Sequence, residues 1–338
     1  MKPSTLATYQ DLSQTDLERL QPHEALIFLH LMKTGGTSLF KLLKQHYPKE
    51  LTFHYGSKPG RTLTDFHQLS AEKRDHLKFL HGHLTFGFHH RLNQPCRYVT
   101  MLREPVSRVV SLYYFLYQNP RRYLPDEQQC QTLREFLDLG CLDADNDQTR
   151  RIAGPISDQF KFGECTTELL DIAKQNLSQF LFVGITERFD ESLIALRHSI
   201  GIDRVLYASF NKNSRKPKQT EIDASDLDVI TAHSQLDIEL YQYGNDLLDE
   251  AIQKIGDSFH TEYYFFSQAN QQYRSAITQL GSVKKKIKRA RKKLKQTRQR
   301  RQALKQNIHT IQNEMKGMVQ SRFWRLWQRL MQLKPSKH

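Results

Sequence analysis

The sequence predicts an α/β protein, a parallel sheet flanked by helices, followed by a long basic helix of separate character. Three observations predict it. Short strand-like runs at 26–31 and 97–102 are each followed, after a turn, by apolar residues at helical spacing, which is the alternation of a parallel α/β chain. A chain of 338 residues with 38% apolar side chains can bury a sizeable core. From Gln268 onward the composition changes to Lys, Arg and Gln with sparse aliphatics, and the charge divides with it. Residues 281–338 carry 19 Lys and Arg against one acid, Glu314, for +18, while residues 1–280 carry 31 against 35, for −4. The overall +14 therefore does not describe the body, and nucleic acid is not expected to cross it.

Residues 1–23 form a polar lead-in, too acidic for a signal peptide, and no run of about 18 apolar residues occurs, so no membrane span is expected. Cys96, Cys130, Cys141 and Cys165 show no C-x-x-C spacing and are too few for a disulfide scaffold in a chain this long. Reduced thiols in a cytoplasmic protein are the expectation.

The apolar run at 26–31 reads as a buried strand, and Leu39, Leu42 and Leu43 as the buried face of a helix. Between them lies Lys33-Thr34-Gly35-Gly36-Thr37-Ser38. Adjacent glycines let successive N–H groups point inward, and Lys33 with the helix N-terminus adds positive charge, so the turn is a P-loop-like cradle for an oxyanion. Its lysine precedes the glycines, whereas a nucleoside triphosphatase loop places it after them, as G-x-x-x-x-G-K-[ST].

The polar segment 48–73, with turn signals at Gly56, Pro59 and Gly60, is expected to be loop-rich. A short strand then runs into His81-Gly82-His83. Two histidines without a nearby Cys, Asp or Glu at ligand spacing do not make a zinc site, so no metal is expected. One of them can act as a general base, since imidazole titrates near neutrality, and the alternative is a structurally satisfied pair. Arg103 stands at the end of the strand at 97–102. Pro105 begins a helix with Val106, Val109, Val110, Tyr113 and Tyr114 on one face. Ligands of open α/β sheets bind beyond the carboxyl ends of the strands, so Arg103 and the cradle are expected to share a crevice.

These motifs together resemble the sulfotransferases that use 3′-phosphoadenosine-5′-phosphosulfate (PAPS). The 33–38 turn is similar to their 5′-phosphosulfate loop, and Arg103, Pro105, Arg108 and Ser111, the serine eight positions after Arg103, with Tyr113 and Tyr114 following, are similar to their 3′-phosphate motif. Guanidinium binds phosphate bidentately, which suits that role. With His-Gly-His between the two motifs, the sequence resembles the membrane-type (family 2) carbohydrate sulfotransferases, in particular the hexuronic acid 2-O-sulfotransferases. The segments 146–151, 182–190 and 236–241 also look like family segments, and the likeness covers roughly 24–265. The resemblance implies that His83 is the base with His81 its neighbour. It implies that Lys33, Thr34, Gly35, Gly36, Thr37 and Ser38 hold the 5′-phosphosulfate, and that Arg103 and Ser111 hold the 3′-phosphate. PAPS would be co-substrate, adenosine 3′,5′-bisphosphate the product, and a glycan or glycolipid hydroxyl the acceptor. Two alternatives stand beside it: a nucleotide or small-molecule kinase, and a polyanion- or membrane-surface binder acting through the tail.

The stretch 133–197 is expected to be helix-rich, and 210–218 to be a basic loop that either reaches the nucleotide or is solvated. Tyr273, Ile277, Leu280, Val283, Ile287, Ala290 and Leu294 begin a three/four alternation, broken once by two threes in a row around Leu280, that continues to Met318, with polar Thr297 and Arg301 midway. It predicts a coiled-coil helix over 266–320 and a homo-oligomer through 273–318. Residues 321–338 read as an amphipathic helix mixing aromatics and leucines with arginines, suited either to the anionic inner membrane face or to a solvated oligomerisation tail. The expected domains are thus 1–23, 24–265, 266–320 and 321–338.

Overall fold

The computed structural model describes residues 17–332 apart from 57, 59, 118–129, 131, 204 and 209–221. Five strands form one parallel sheet in the order β2-β3-β1-β4-β5, comprising β1 (Ala25–Leu29), β2 (Thr52–Tyr55), β3 (Phe79–Gly82), β4 (Cys96–Leu102) and β5 (Phe182–Ile185). β1 is completely buried, as a central strand with both faces covered must be, and this accounts for its unbroken apolar sequence. Its register sets Leu29 beside Gly82 of β3 and Thr100 of β4. The chain leaves β1 toward β2 and β3 on one side, then crosses to β4 and β5 on the other. The ends of β1 and β4 therefore flank the topological switch point, where crevices form.

Helix α1 (Gly36–Leu43) buries Leu39, Leu42 and Leu43, as its spacing predicts. The expectation of loop in 48–73 is corrected. This segment contains β2 and two short helices, α2 (Leu63–His67) and α3 (Ala71–Asp75). β2 is a four-residue edge strand whose burial comes from pairing with β3, too short to produce a periodic signal. The helices are announced by their caps: Thr62 with Asp65 forms a capping box, and Ser70 accepts from the Lys73 N–H.

Then come α4 (Pro105–Tyr117), α5 (Leu133–Asp138), α6 (Asp147–Ala153), α7 (Thr167–Leu177), α8 (Phe189–Ile200), α9 (Ala224–Ala232) and α10 (Gln235–Ile255). The main core gathers the strands with α1, α7, α8 and α10, and a smaller one forms around Val109, Val110, Phe136 and Ile230. Helix α11 (Ser258–Gln320) begins eight residues before the expected start. Its first turns bury Phe259, Phe266 and Asn270, whose Oδ1 accepts the Tyr207 N–H at 2.9 Å. The compact body accordingly runs through Arg274, and residues from Ser275 form a second unit that holds the rest of α11 and α12 (Arg322–Gln332). No helix of the described residues is long and apolar enough to cross a membrane.

Candidate active site

The turn between β1 and α1 is shaped by what happens to its carbonyls. His83 Nδ1 lies 2.8 Å from the His30 oxygen, Thr34 Oγ1 donates to Leu31 O at 3.0 Å, and Arg103 Nη1 donates to Lys33 O at 2.8 Å. Thr186 Oγ1 lies 2.8 Å from both Thr34 O and Leu102 O. Within one trans peptide the C=O and the following N–H point in opposite directions. Holding the Thr34 carbonyl against Thr186 therefore turns the Gly35 N–H the other way. Lys33 and Gly35 both adopt left-handed backbone, with φ of 68° and 75°, so the chain curls as an anion nest requires. Gly35, Gly36 and Thr37 present N–H groups that the ladder of α1 leaves unused, while the Ser38 N–H is taken by Gly35 O at 2.9 Å. Gly36 leaves no room for a side chain: an added Cβ would lie 2.0 Å from the His30 ring. Thr34 is fully buried, so its side chain builds the loop instead of facing a ligand. The Lys33 ammonium lies 4.2 Å from the centre of the Phe115 ring.

The two histidines of His-Gly-His have different surroundings. His81 is 2% exposed and stacks on Phe40 at 3.8 Å and against His54 at 4.1 Å. Burial pushes its pKa down to about 2, so it serves as a neutral core aromatic. His83 is exposed at its edge, yet enough protein surrounds the ring that desolvation is the largest influence on its pKa, which lies below 6.5. A carbonyl only accepts, so in neutral His83 the proton sits on Nδ1 and Nε2 keeps its lone pair. That is the tautomer a general base needs. Just before His83, Gly82 lets β3 lie close against β2, since any Cβ there would lie 2.2 Å from the Tyr55 carbonyl oxygen. His30 and His54 complete a group of four imidazoles at the ends of β1, β2 and β3, with pKa values lowered by burial to about 3 and about 4. Sequence reading gave neither a role, and only strand register brings them to the site.

Arg103 reaches the switch point as expected. Its backbone N–H and C=O are both bonded to the Gln148 amide at 2.9 Å, and its Nε lies 3.7 Å from Glu187. Glu187 in turn accepts from Tyr241 Oη at 3.2 Å. Ser111 lies one turn before Phe115 on α4, hence on the face of that helix that meets Lys33. Glu104 caps α4, accepting from the N–H groups of Val106 and Ser107 at 3.0 and 2.7 Å. Arg108, five residues beyond Arg103, is fully buried and bonds Asp147 Oδ2 and Asp143 O at 3.1 and 2.8 Å. It is a core ion pair and not part of the phosphate motif.

Two helices lock this frame by capping each other. Asn146 Oδ1, just before α6, accepts from the N–H groups of Leu236 and Asp237 at the start of α10. The buried Asp237 carboxylate accepts from the Gln148 and Thr149 N–H groups of α6 and from Thr149 Oγ1. This reciprocity fixes Gln148, hence Arg103. Beside Gly35 and Ser38 opens a cleft of about 400 Å³ lined by Thr186, Phe189, Tyr207 and Arg274. There the Arg274 guanidinium lies 4.4 Å over the Tyr207 ring. Among the described residues no group of three or more His, Cys, Asp or Glu is placed to hold a metal ion. The basic loop at 210–218 lies outside the described residues.

A parallel sheet with an N–H-lined turn after its central strand, an arginine across the switch point and a histidine Nδ1 against the His30 carbonyl defines the α/β class of the chain and the place of its candidate site. The chain belongs to the sulfotransferase family, whose model matches residues 19–273. Among curated relatives, it is 25% identical over 303 residues to heparan-sulfate 6-O-sulfotransferase 3 of Mus musculus, covering 72% of this chain and 61% of that one. It is 25% identical over 289 residues to heparan-sulfate 6-O-sulfotransferase 2 of Gallus gallus, covering 71% and 70%. The chain thus spans less than two thirds of the first relative's length. A crystal structure of mouse sulfotransferase SULT7A1 complexed with PAP aligns at 11% identity and a TM-score of 0.39, over 68% of this chain and 90% of that one. The kinase alternative and the reading of the tail as the active part find no support in these comparisons.

Proposed function

We propose that the protein is a PAPS-dependent O-sulfotransferase acting on a hydroxyl of a glycan or glycolipid. The single observation that carries this reading is the pairing of His83, whose Nδ1–H is committed to the His30 carbonyl, with a turn whose N–H groups are freed by four pinned carbonyls. Family membership and relatives named for heparan sulfate support the glycan acceptor. The N–H groups of Gly35, Gly36 and Thr37, with Lys33, hold the 5′-phosphosulfate, and Arg103 and Ser111 hold the 3′-phosphate. The cleft beside Gly35 and Ser38 is of a size to admit the rest of the nucleotide. His83 Nε2 takes the acceptor's hydroxyl proton as that oxygen bonds to sulfur and the sulfur–oxygen bond to the phosphate breaks. The electron pair of the broken bond leaves with adenosine 3′,5′-bisphosphate. Lys33 and the loop amides stabilise the charge growing on that phosphate, and no role is assigned to a metal.

The test combines binding and turnover. A native-state ligand at about 100 times its Kd raises stability by about 2.7 kcal/mol. Adenosine 3′,5′-bisphosphate should therefore raise the melting temperature where ATP with magnesium does not, and labelled sulfate should pass from PAPS to a desulfated glycosaminoglycan or a glycolipid. Stabilisation by ATP alone, with no response to the bisphosphate, would overturn the reading.

A further inference from the structure

Helix α12 (Arg322–Gln332) divides into two faces without exception. At 100° per residue, Phe323, Trp324, Leu326, Trp327, Leu330 and Met331 fall on one side, and Arg322, Arg325, Gln328 and Arg329 on the other. The apolar members are all exposed, Phe323 at 82%, and the helix contains no acid. At 11 residues it is about 16 Å long, half the thickness of a bilayer's hydrocarbon core, so it suits lying on a membrane and cannot span one. Ser321 makes the break before it: its Oγ accepts the Trp324 N–H at 3.1 Å, capping a new helix.

The preceding helix indicates what covers this face. With Ile287, Leu294, Arg301 and Ile308 at a positions and Ala290, Thr297 and Leu304 at d, the flanking e positions are Lys284, Arg291, Arg298 and Lys305, and the g positions are Lys286, Lys293 and Arg300. A second copy would set Lys and Arg against Lys and Arg along this stretch in either parallel or antiparallel alignment. No acid stands between 284 and 305 to relieve the repulsion. The seam residues are exposed throughout, Leu294 at 52% and Leu304 at 60%. The chain therefore presents an apolar face and a charge of +18 to something that must be both apolar and anionic.

We infer that the C-terminal unit docks on an anionic lipid bilayer, with α12 in the interface plane and the basic stretch 284–305 over the headgroups. Tryptophan and leucine enter the acyl boundary while the arginines keep to phosphate depth, the division an interfacial helix requires. The homo-oligomer expected from the heptads then gives way to a lipid partner.

The protein carries its own reporter, because both of its tryptophans, Trp324 and Trp327, lie in α12. The full chain is mixed with vesicles of phosphatidylcholine alone or with phosphatidylglycerol, some carrying brominated acyl chains. Mixed vesicles should shift tryptophan emission to the blue and brominated lipid should quench it, with little response to phosphatidylcholine alone and reversal by salt. Replacing Arg322, Arg325 and Arg329 by Gln should weaken partitioning about a hundredfold. Leu326→Glu with Leu330→Glu should abolish the shift while nucleotide binding by the body persists, which controls for folding. No shift with anionic vesicles overturns the inference. So does an equal shift on raising protein concentration without lipid, which assigns the face to a second copy, or with soluble heparin, which assigns it to a polysaccharide.

Discussion

Replacing His83 by Asn removes the proposed base yet keeps a side-chain N–H for the His30 carbonyl, so the turn it supports is perturbed least. A positioned base contributes about 10²–10⁴-fold, so kcat should fall by that factor, equivalent to about 2.7–5.5 kcal/mol of barrier. Binding of adenosine 3′,5′-bisphosphate, measured by calorimetry, should stay within about threefold, because an interaction made only in the transition state leaves ground-state affinity alone. The pH profile supplies a second reading. His83 has its pKa lowered below 6.5, chiefly by desolvation, so it is neutral and competent at pH 7. The wild-type kcat/KM should be level there and fall as the pH drops through that lowered pKa, and the variant should lack this acid limb. His81→Phe is the contrast: a neutral aromatic replaces a neutral aromatic between Phe40 and Phe79, and activity should survive. An active His83→Asn with its acid limb intact, or a folded but dead His81→Phe, would refute the assignment.

Three further outcomes are expected. Ser111→Ala and Arg103→Ala should each weaken adenosine 3′,5′-bisphosphate more than AMP in a titration, with the arginine variant also losing some AMP affinity because Arg103 supports the Lys33 carbonyl; equal losses for both ligands in both variants would remove the 3′-phosphate role. Asp237→Ala leaves Arg108 its Asp147 partner but uncaps α6 by removing the acceptor of the Gln148 and Thr149 N–H groups, and should cost about 1.5–3 kcal/mol in urea denaturation, with a cost below about 1 kcal/mol ruling out the locking role. His30 and His81 are held neutral in the native state, with pKa values of about 3 and about 2, while the unfolded chain protonates them below about 6.5. Each should therefore remove up to about 1.4 kcal/mol of stability per pH unit as the pH falls from about 6.5 toward those values; urea midpoints unchanged over that window would contradict their burial.

How much of this could be read from the sequence depended on whether the informative residues were neighbours in the chain. The cradle at 33–38, the strand before it and the arginine at the end of the strand at 97–102 are contiguous patterns, so period and turn chemistry were enough to find them. The supporting residues are not contiguous. Gln148 acts on Arg103 across 45 positions, Thr186 on Thr34 across 152, and His83 on His30 across 53. Each lies in a segment whose own pattern says nothing of the partner. Arg108 shows the opposite difficulty. It looks as good a phosphate ligand as Arg103 on paper, but it is one helical turn inside α4, where Asp147 and Asp143 enclose it. β2 is illegible for a third reason: four residues at a sheet edge owe their extended state to β3 and carry too little periodicity of their own.

A turn that binds an anion through its amides must find other partners for its carbonyls, since an oxygen left facing the ligand repels it. Here Thr34 of the turn, His83 after β3, Arg103 after β4 and Thr186 after β5 each take one. The last three come from strand ends on both sides of β1, and they can converge only because β1 is central in the order β2-β3-β1-β4-β5. An edge strand carrying the same six residues would lack donors on one side, and part of its loop would be free to turn a carbonyl inward. The same sheet order that makes β1 wholly apolar therefore also turns the carbonyls after it away from the proposed anion site, and two of the pinning side chains, His83 and Arg103, are themselves the proposed base and phosphate ligand. Loop geometry and chemistry are coupled: a change at either residue alters both the function assigned to it and the shape of the cradle.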